Sequence, residues 1–268
     1  MIRDITLGQY YPANSPIHKL DPRVKLGGTM LFIITLFLYK SFAVYAVAAL
    51  FLAAVIRISK VPFKFMTRGL KGIFVLLMIT VVFNLFLTPG TAVLQIWKLT
   101  VTKEGIRQSV FMAIRLVFLI LGSTIMTLTT TPNHLTDGLE KALAPLNKIH
   151  IPVHEIAMTM SIALRFIPIL MEETDKIMKA QMARGADFES GNLIQKAKNL
   201  VPLLVPLFIS AFRRANDLAM AMEARGYRGG EGRTKMNPLI YHKVDYQGYA
   251  VLFGYVAVVI LTGTLVKI

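Results

Sequence analysis

Two arginines in this chain stand in the same three-residue motif, a pattern that favours binding to another protein over catalysis. They are the central residues of Ala183-Arg184-Gly185 and Ala224-Arg225-Gly226. A guanidinium donates hydrogen bonds in a planar fork, which suits a carboxylate or a set of backbone carbonyls. The small residues on either side allow another backbone to approach closely.

A simpler structural interpretation accounts for each motif taken alone. A glycine just past a helix end commonly adopts the left-handed conformation that closes the helix. A basic residue in the last turn offsets the negative end of the helix dipole. Two copies on two long helices instead favour two equivalent contacts on a two-lobed partner, as in helix-in-groove recognition. Both interpretations stay open at the level of the sequence.

Residue patterns that would indicate an enzyme or a metal site are absent from the sequence. The chain has no cysteine, no G-x-x-x-x-G-K-[ST] phosphate loop and no H-E-x-x-H pair. His150 and His154 are four residues apart, but Pro152 between them breaks the helix that would align them. The acidic pair Glu172-Glu173 is interpreted as a solvated or salt-bridged helix face. We therefore expect no catalytic residue, no metal and no cofactor.

The composition indicates a membrane protein. Hydrophobic residues make up 54% of the chain and charged residues only 17%, and the mean hydropathy is +0.56. A soluble domain carries roughly 25% charged residues. The net charge is +15. Because the apolar residues occur in long blocks, we expect the positive charge to face an anionic lipid bilayer and not a nucleic acid.

Five apolar blocks predict five membrane spans, although the first two are short against the ~20 residues that a crossing helix needs. The blocks are Leu26–Tyr39, Phe42–Ile56, Gly72–Leu87, Ser109–Leu128 and Tyr249–Val266. Lysine and arginine concentrate before the first block, after the second, and in residues 131–246, which hold fifteen of them. The positive-inside rule then places the N-terminus in the cytoplasm and the C-terminus outside.

Two features on the predicted outer side are less regular. Residues 91–101, with Trp97, are interpreted as an interfacial loop or short helix. Arg115 is a basic residue inside the fourth block, where a charge is costly. Its side chain either extends to the interface, as lysine and arginine commonly do, or contacts a partner membrane protein.

Residues 131–246 are interpreted as a cytoplasmic helical region, because their polarity is too mixed for a membrane span. We expect one helix from about Val153 to Arg184, kinked at Pro168. We expect two more over Leu193–Asn199 and Leu203–Ala224, separated at Pro202. The predicted organisation is residues 1–130 with four spans, residues 131–246 with the cytoplasmic helices, and residues 247–268 with the last span. The predicted fold class is an all-α polytopic membrane protein.

The chain resembles the transmembrane T component (EcfT family) of energy-coupling factor (ECF) transporters, whose hallmark is two Ala-Arg-Gly motifs on cytoplasmic helices. Other stretches agree with that family along nearly the whole chain. They are Gly8-Gln9-Tyr10, Ser15-Pro16, the run from His18 to Leu26, Arg165-Phe166-Ile167-Pro168 and Arg233-Thr234.

The resemblance implies a scaffold and coupling subunit of an ABC-type importer in the plasma membrane. Two cytoplasmic ATPases would receive Arg184 and Arg225 in their grooves, with Ala183, Gly185, Ala224 and Gly226 permitting close approach. A membrane-embedded substrate-binding S component would capture a vitamin or another micronutrient. Its expected contacts are Ile156, Met160, Leu164, Leu204, Phe208 and Arg115. A stand-alone transporter and a membrane enzyme acting on a phosphorylated substrate remain alternatives, and the cargo is not readable from this chain.

Overall fold

The computed structural model describes residues 10–96, 99–188, 192–230 and 236–265, and helices form most of it. The helices are α1 (Pro16–Lys19), α2 (Pro22–Leu38), α3 (Phe42–Ser59), α4 (Phe63–Leu87), α5 (Lys103–Thr129), α6 (Pro132–Leu143), a 3-10 helix (Ala144–Ile149), α7 (Val153–Ala183), α8 (Leu193–Ala224) and α9 (Lys243–Leu265). Two short strands, β1 (Ala92–Ile96) and β2 (Leu99–Thr102), complete the regular structure of the described residues. The prediction of an all-α fold is confirmed.

Five helical stretches in the described residues are long and apolar enough to cross a membrane, as predicted. They are Phe42–Ser59, Gly69–Leu87, Lys103–Thr129, Val153–Ala183 and Lys243–Leu265. The set differs from the predicted one in two places. The first block lies in α2, whose 17 residues are at the lower limit for a span.

The helix Val153–Ala183 takes the place of that block in the set. By length and hydropathy α7 is therefore a candidate span, although the sequence predicted no span within residues 131–246. It qualifies because one 18-residue window of the helix holds at most two charged residues, so the charges clustered after Pro168 fall largely outside that window. The cytoplasmic assignment of this region stays a prediction.

The described residues fall into two compact units. Residues 139–238 form one, here called the paired-helix unit because α7 packs against α8 within it. Residues 10–138 and 239–265 form the other, here called the bundle unit. In the bundle unit α5 packs against α4, and α2, α3 and α9 pack against one another.

Aromatic and small aliphatic side chains form the core of the bundle unit. Leu36, Ala48 and Val259 are fully buried. The Phe51 and Tyr255 rings stack with centroids 4.2 Å apart. Large apolar side chains such as those along α4 are instead exposed, which is the expected surface for a helix that contacts lipid.

The segment before α5 is a β-hairpin, which corrects the predicted loop or short helix. β1 and β2 pair antiparallel, with Gln95 opposite Thr100. The Thr91 N–H donates to Glu104 at 2.8 Å, which joins the hairpin to the start of α5. Three consecutive β-branched residues in L-T-V-T explain the strand preference. Trp97 lies outside the described residues.

Polar contacts hold the N-terminal segment of the bundle unit. The His18 Nε2–H donates to the Tyr11 carbonyl at 3.0 Å, and the Ser15 hydroxyl donates to Nδ1 at 2.7 Å. Asp21 caps α2 by accepting from the Arg23 backbone N–H at 2.8 Å. The Lys25 ammonium donates to the Thr129 carbonyl at 2.8 Å. The end of α5 is thereby tied to the start of α2.

The second long helix of the paired-helix unit is continuous, which corrects the predicted break at Pro202. α8 runs from Leu193 to Ala224 with Pro202 and Pro206 inside it. The helix predicted from about Val153 to Arg184 is confirmed as α7, and Pro168 lies in its interior.

Candidate functional site

The first motif forms the closed end of α7. The Ala186 N–H donates to the Gln181 carbonyl at 3.0 Å, and the Gly185 N–H donates to the Met182 carbonyl at 3.0 Å. These two bonds define a Schellman motif, in which the residue after the cap is left-handed. Gly185 has a φ of 90°, as that motif requires. Arg184 is the cap residue of α7.

The second motif forms the end of α8 in the same way. The Tyr227 N–H donates to the Met222 carbonyl at 3.0 Å, and the Gly226 N–H donates to the Glu223 carbonyl at 2.8 Å. Gly226 has a φ of 70°, and Arg225 is the cap residue. The two arginines therefore occupy the same position in two helix ends of the same type.

Both arginines are available for an external contact. Arg184 and Arg225 are exposed, and within the described ranges no residue accepts a hydrogen bond from either guanidinium. Apart from the residues next to each glycine, no atom of the described residues lies within 4 Å of the Cβ position at Gly185 or Gly226. Glycine is therefore needed here for its positive φ, and the open space beside it leaves room for another molecule.

An ion pair fastens α7 to α8. Glu173 accepts from Arg214 Nη2 at 2.6 Å and from Arg214 Nε at 3.1 Å, and its other oxygen accepts from the Ser210 hydroxyl at 2.6 Å. The acidic cluster of α7 is thus in part a salt-bridged face, one of the two forms expected for it. The sequence did not identify Arg214 as the partner, because 41 residues separate the two side chains.

A second contact between the helices begins in the first motif's own closing turn. Pro206 has no backbone N–H, so the Pro202 carbonyl, four residues earlier, has no partner within α8. The Gln181 side-chain amide donates to that carbonyl at 3.3 Å. Gln181 therefore has two roles: its backbone carbonyl accepts the bond that closes α7, and its side chain contacts the proline-containing part of α8.

The side chains expected to contact a partner in the membrane present an apolar surface on α7 and α8. Ile156 is 50% exposed and Phe208 61% exposed. Met160 and Leu204 are also exposed, and Leu164 is half-buried. This degree of exposure is far above that of a folded core and leaves the surface free for lipid or protein.

Arg115 lies in the bundle unit and is engaged within this chain. Its Nε–H donates to the Tyr45 hydroxyl at 2.9 Å, and its guanidinium lies 4.9 Å from the centroid of the Phe37 ring. The Tyr45 hydroxyl in turn donates to the Leu36 carbonyl at 3.2 Å. An internal hydrogen bond was not among the sequence-based interpretations, since it joins residues 70 positions apart.

Two of the stretches that carried the resemblance lie in part or in whole outside the described residues, namely Gly8-Gln9 and Arg233-Thr234. The run from His18 to Leu26 is described, and its polar residues make the contacts that tie α2 to α5 and α9. Sequence reasoning gave this run no structural role.

Comparison with known proteins places these features in one family. Residues 13–236 match the CbiQ family, described as cobalt transport protein. The chain is 60% identical over 248 residues to the energy-coupling factor transporter transmembrane protein EcfT of Clostridium kluyveri, covering 92% of each chain. The identity is 54% to the protein of that name from Thermosediminibacter oceani, over 92% of this chain and 94% of the relative. It is 50% to that from Bacillus subtilis, over 91% and 93%. The chain thus belongs to the EcfT family of transmembrane proteins of energy-coupling factor transporters.

Proposed function

We propose that this chain is the scaffold and coupling subunit of an ECF-type ABC importer. It transmits the ATP-driven motion of two cytoplasmic ATPases to a membrane-embedded S component that carries a vitamin or another micronutrient. Family membership supports the transporter assignment. The observation that carries the coupling role is the matched pair of helix ends, each with an exposed arginine at its cap.

Each arginine-tipped end inserts into the groove of one ATPase. The closing hydrogen bonds already satisfy the last carbonyls of α7 and α8, so neither guanidinium is needed to cap its own helix. Each is free to make a forked contact with a carboxylate or carbonyls of the partner. Two ends of the same type match two ATPases with equivalent grooves.

The S component contacts the apolar surface of α7 and α8. This surface carries little charge that would have to be desolvated on binding. It consists of the exposed side chains of Ile156, Met160, Leu204 and Phe208 and the half-buried side chain of Leu164. Arg115 contributes through its terminal amino groups, since its Nε is already bound to Tyr45.

The orientation that this proposal needs follows from the charge distribution. The N-terminus and residues 131–246 lie in the cytoplasm, and the membrane is the plasma membrane. ATP is hydrolysed in the partner chains, because this sequence has no phosphate loop.

The docking role is tested by Arg184→Glu, Arg225→Glu and the double variant, with co-purification of the two ATPases from membranes as the measurement. Reversing a desolvated, hydrogen-bonded charge costs roughly 2–5 kcal/mol, so each single variant should lose most of one ATPase and the double variant both. Insertion of the chain in the membrane should not change.

Arg213→Glu is the matched control, since Arg213 is another exposed arginine of α8. It should leave co-purification unchanged. Full recovery of both ATPases by the double variant would exclude docking through these residues. Transport of a substrate by the purified chain alone would instead identify a stand-alone transporter.

A further inference from the structure

A crevice of about 420 Å³ opens in the bundle unit between α1, α2, α3, α5 and α9. Its volume lies within the roughly 300–1,000 Å³ that small-molecule sites occupy. All of its lining residues belong to the bundle unit. Apolar side chains make up most of the lining, and Lys25 is the single ionisable residue among the described residues that line it.

The two strongest polar groups of the crevice, Lys25 and Gln247, lie where α2 and α9 begin, because the Cβ position of Gly248 is 3.2 Å from the Val24 side chain. The Lys25 ammonium donates to the carbonyls of His18 at 3.2 Å and Thr129 at 2.8 Å. Its third N–H has no acceptor among the described residues. Gln247 also lines the crevice, is exposed, and adds an amide with no partner in the described ranges.

The other end of the crevice is apolar. Phe32 follows Lys25 by two turns of α2, and the centroid of the Phe51 ring, which also lines the crevice, lies 6.0 Å from that of Phe32. Two turns of helix span ~10 Å. The crevice is therefore a slot with hydrogen-bond donors and a positive charge at one end and hydrocarbon and aromatic walls at the other.

An amphiphile with an anionic head matches that arrangement. Water does not fill an apolar cavity favourably, and an empty slot forfeits dispersion contacts along its walls. In a membrane, lipid acyl chains are the most abundant apolar groups that could fill the crevice. Neither nearby carboxylate accepts a hydrogen bond from the Lys25 ammonium in this structure. Asp245 accepts from the backbone N–H groups of Asp21 and His242, and Asp21 accepts from Arg23.

We propose that this crevice binds one anionic phospholipid, with its phosphate beside Lys25 and Gln247 and one acyl chain along Phe32 and Phe51. This inference requires only that the chain lies in a membrane, and it holds whether or not the proposed coupling role does. Burial lowers the pKa of Lys25, which precedes the first predicted span, to about 8. An anion beside the lysine favours its charged form and opposes that effect.

The test compares two probes on the purified full-length chain in detergent. Dioleoylphosphatidylglycerol, which is anionic, and dioleoylphosphatidylcholine, which is zwitterionic, are titrated separately, and bound lipid is counted by native mass spectrometry. We expect one phosphatidylglycerol to bind at least ~10-fold more tightly than phosphatidylcholine, and Lys25→Met to remove that preference. Lys71→Met, at an exposed lysine of α4, is the control and should retain it.

A second variant keeps the test independent of the lysine, which also ties α2 to α5. Ile58 and Val251 line the crevice yet are 48% and 61% exposed, so Ile58→Trp/Val251→Trp fills the slot from its rim without disturbing the core. Binding of the anionic lipid should fall at least ~10-fold. Leu76→Trp, at an equally exposed position away from the crevice, should leave binding unchanged. Equal affinity for the two lipids, or undiminished binding by the double tryptophan variant, would overturn the proposal.

Discussion

Asp245 accepts a hydrogen bond of 2.6 Å from the backbone N–H of Asp21, a residue 224 positions earlier in the chain. Its other carboxylate oxygen accepts from the His242 N–H at 2.7 Å. The side chain is 1% exposed, so water cannot replace either bond. One buried carboxylate thereby joins the start of α9 to the start of α2.

We expect Asp245→Ala to destabilise the bundle unit strongly. It leaves two backbone N–H groups without an acceptor in a buried place, at about 1–3 kcal/mol for each. The measurement is the midpoint of thermal unfolding in detergent. Asp217→Ala, at an exposed aspartate of α8, is the control and should shift the midpoint little. Equal midpoints for the two variants would mean that Asp245 does not hold the helices together.

We expect Gly185→Ala and Gly226→Ala to weaken ATPase binding although neither change adds a charge. A residue with a Cβ pays ~1–2 kcal/mol to adopt the left-handed conformation, so the closing turn rearranges and the neighbouring arginine moves. ATPase co-purification is the measurement. Gly72→Ala is the control, because that glycine is helical and, outside its own helix backbone, no atom of the described part of the chain lies within 4 Å of its Cβ position. If the two motif variants bound as well as Gly72→Ala, the turn geometry would be irrelevant to docking.

We expect Tyr45→Phe to lower stability by about 1–3 kcal/mol, because it removes the acceptor of the Arg115 Nε–H and leaves a charged donor unsatisfied. The measurement is again the thermal midpoint in detergent. The control is Tyr246→Phe, at a tyrosine that is 66% exposed. A midpoint for Tyr45→Phe that matches the control would show that Arg115 finds another acceptor and is held by the interface or by a partner.

We expect stability to fall as the pH drops below about 6.5, in part through His18. Burial lowers the pKa of His18, the hydrogen bond to the Tyr11 carbonyl opposes that effect, and the Lys25 charge adds to it. The unfolded chain then binds more protons than the folded one in this window, so folding is favoured above it and disfavoured below. His18→Gln should flatten the pH profile of the thermal midpoint between about pH 7 and 5.

The four other histidines are present in both proteins, so the difference between the two profiles isolates His18. Parallel profiles for wild type and His18→Gln would show that His18 does not contribute.

The features that sequence predicted are those set by neighbours along the chain. Gly185 and Gly226 close their helices because a left-handed residue is needed directly after the last turn, and that need is local. The five apolar stretches likewise follow from composition within a window of one helix, although α7 replaced the first block in the set.

The features that sequence missed depend on contacts between distant residues. Pro202 was interpreted as a helix break, yet α8 continues through it, and the carbonyl left free by Pro206 is bonded by Gln181 from the other helix. Arg115 was weighed as a residue at the interface or at a partner, because nothing in its neighbourhood identifies Tyr45. The hairpin at residues 92–102 required two strands to be recognised together.

The two prolines of α8 also set how the arginine at its end can move. Each proline removes one backbone hydrogen bond of the helix, at the carbonyls of Lys198 and Pro202. A helix bends most readily where such hydrogen bonds are missing. Arg225 lies ~28 Å beyond Pro206, at ~1.5 Å per residue. A bend of ~10° at the prolines would therefore move the guanidinium by ~5 Å, so a small angular change at residues 198–206 is enough to shift the end of α8 by more than the length of a hydrogen bond.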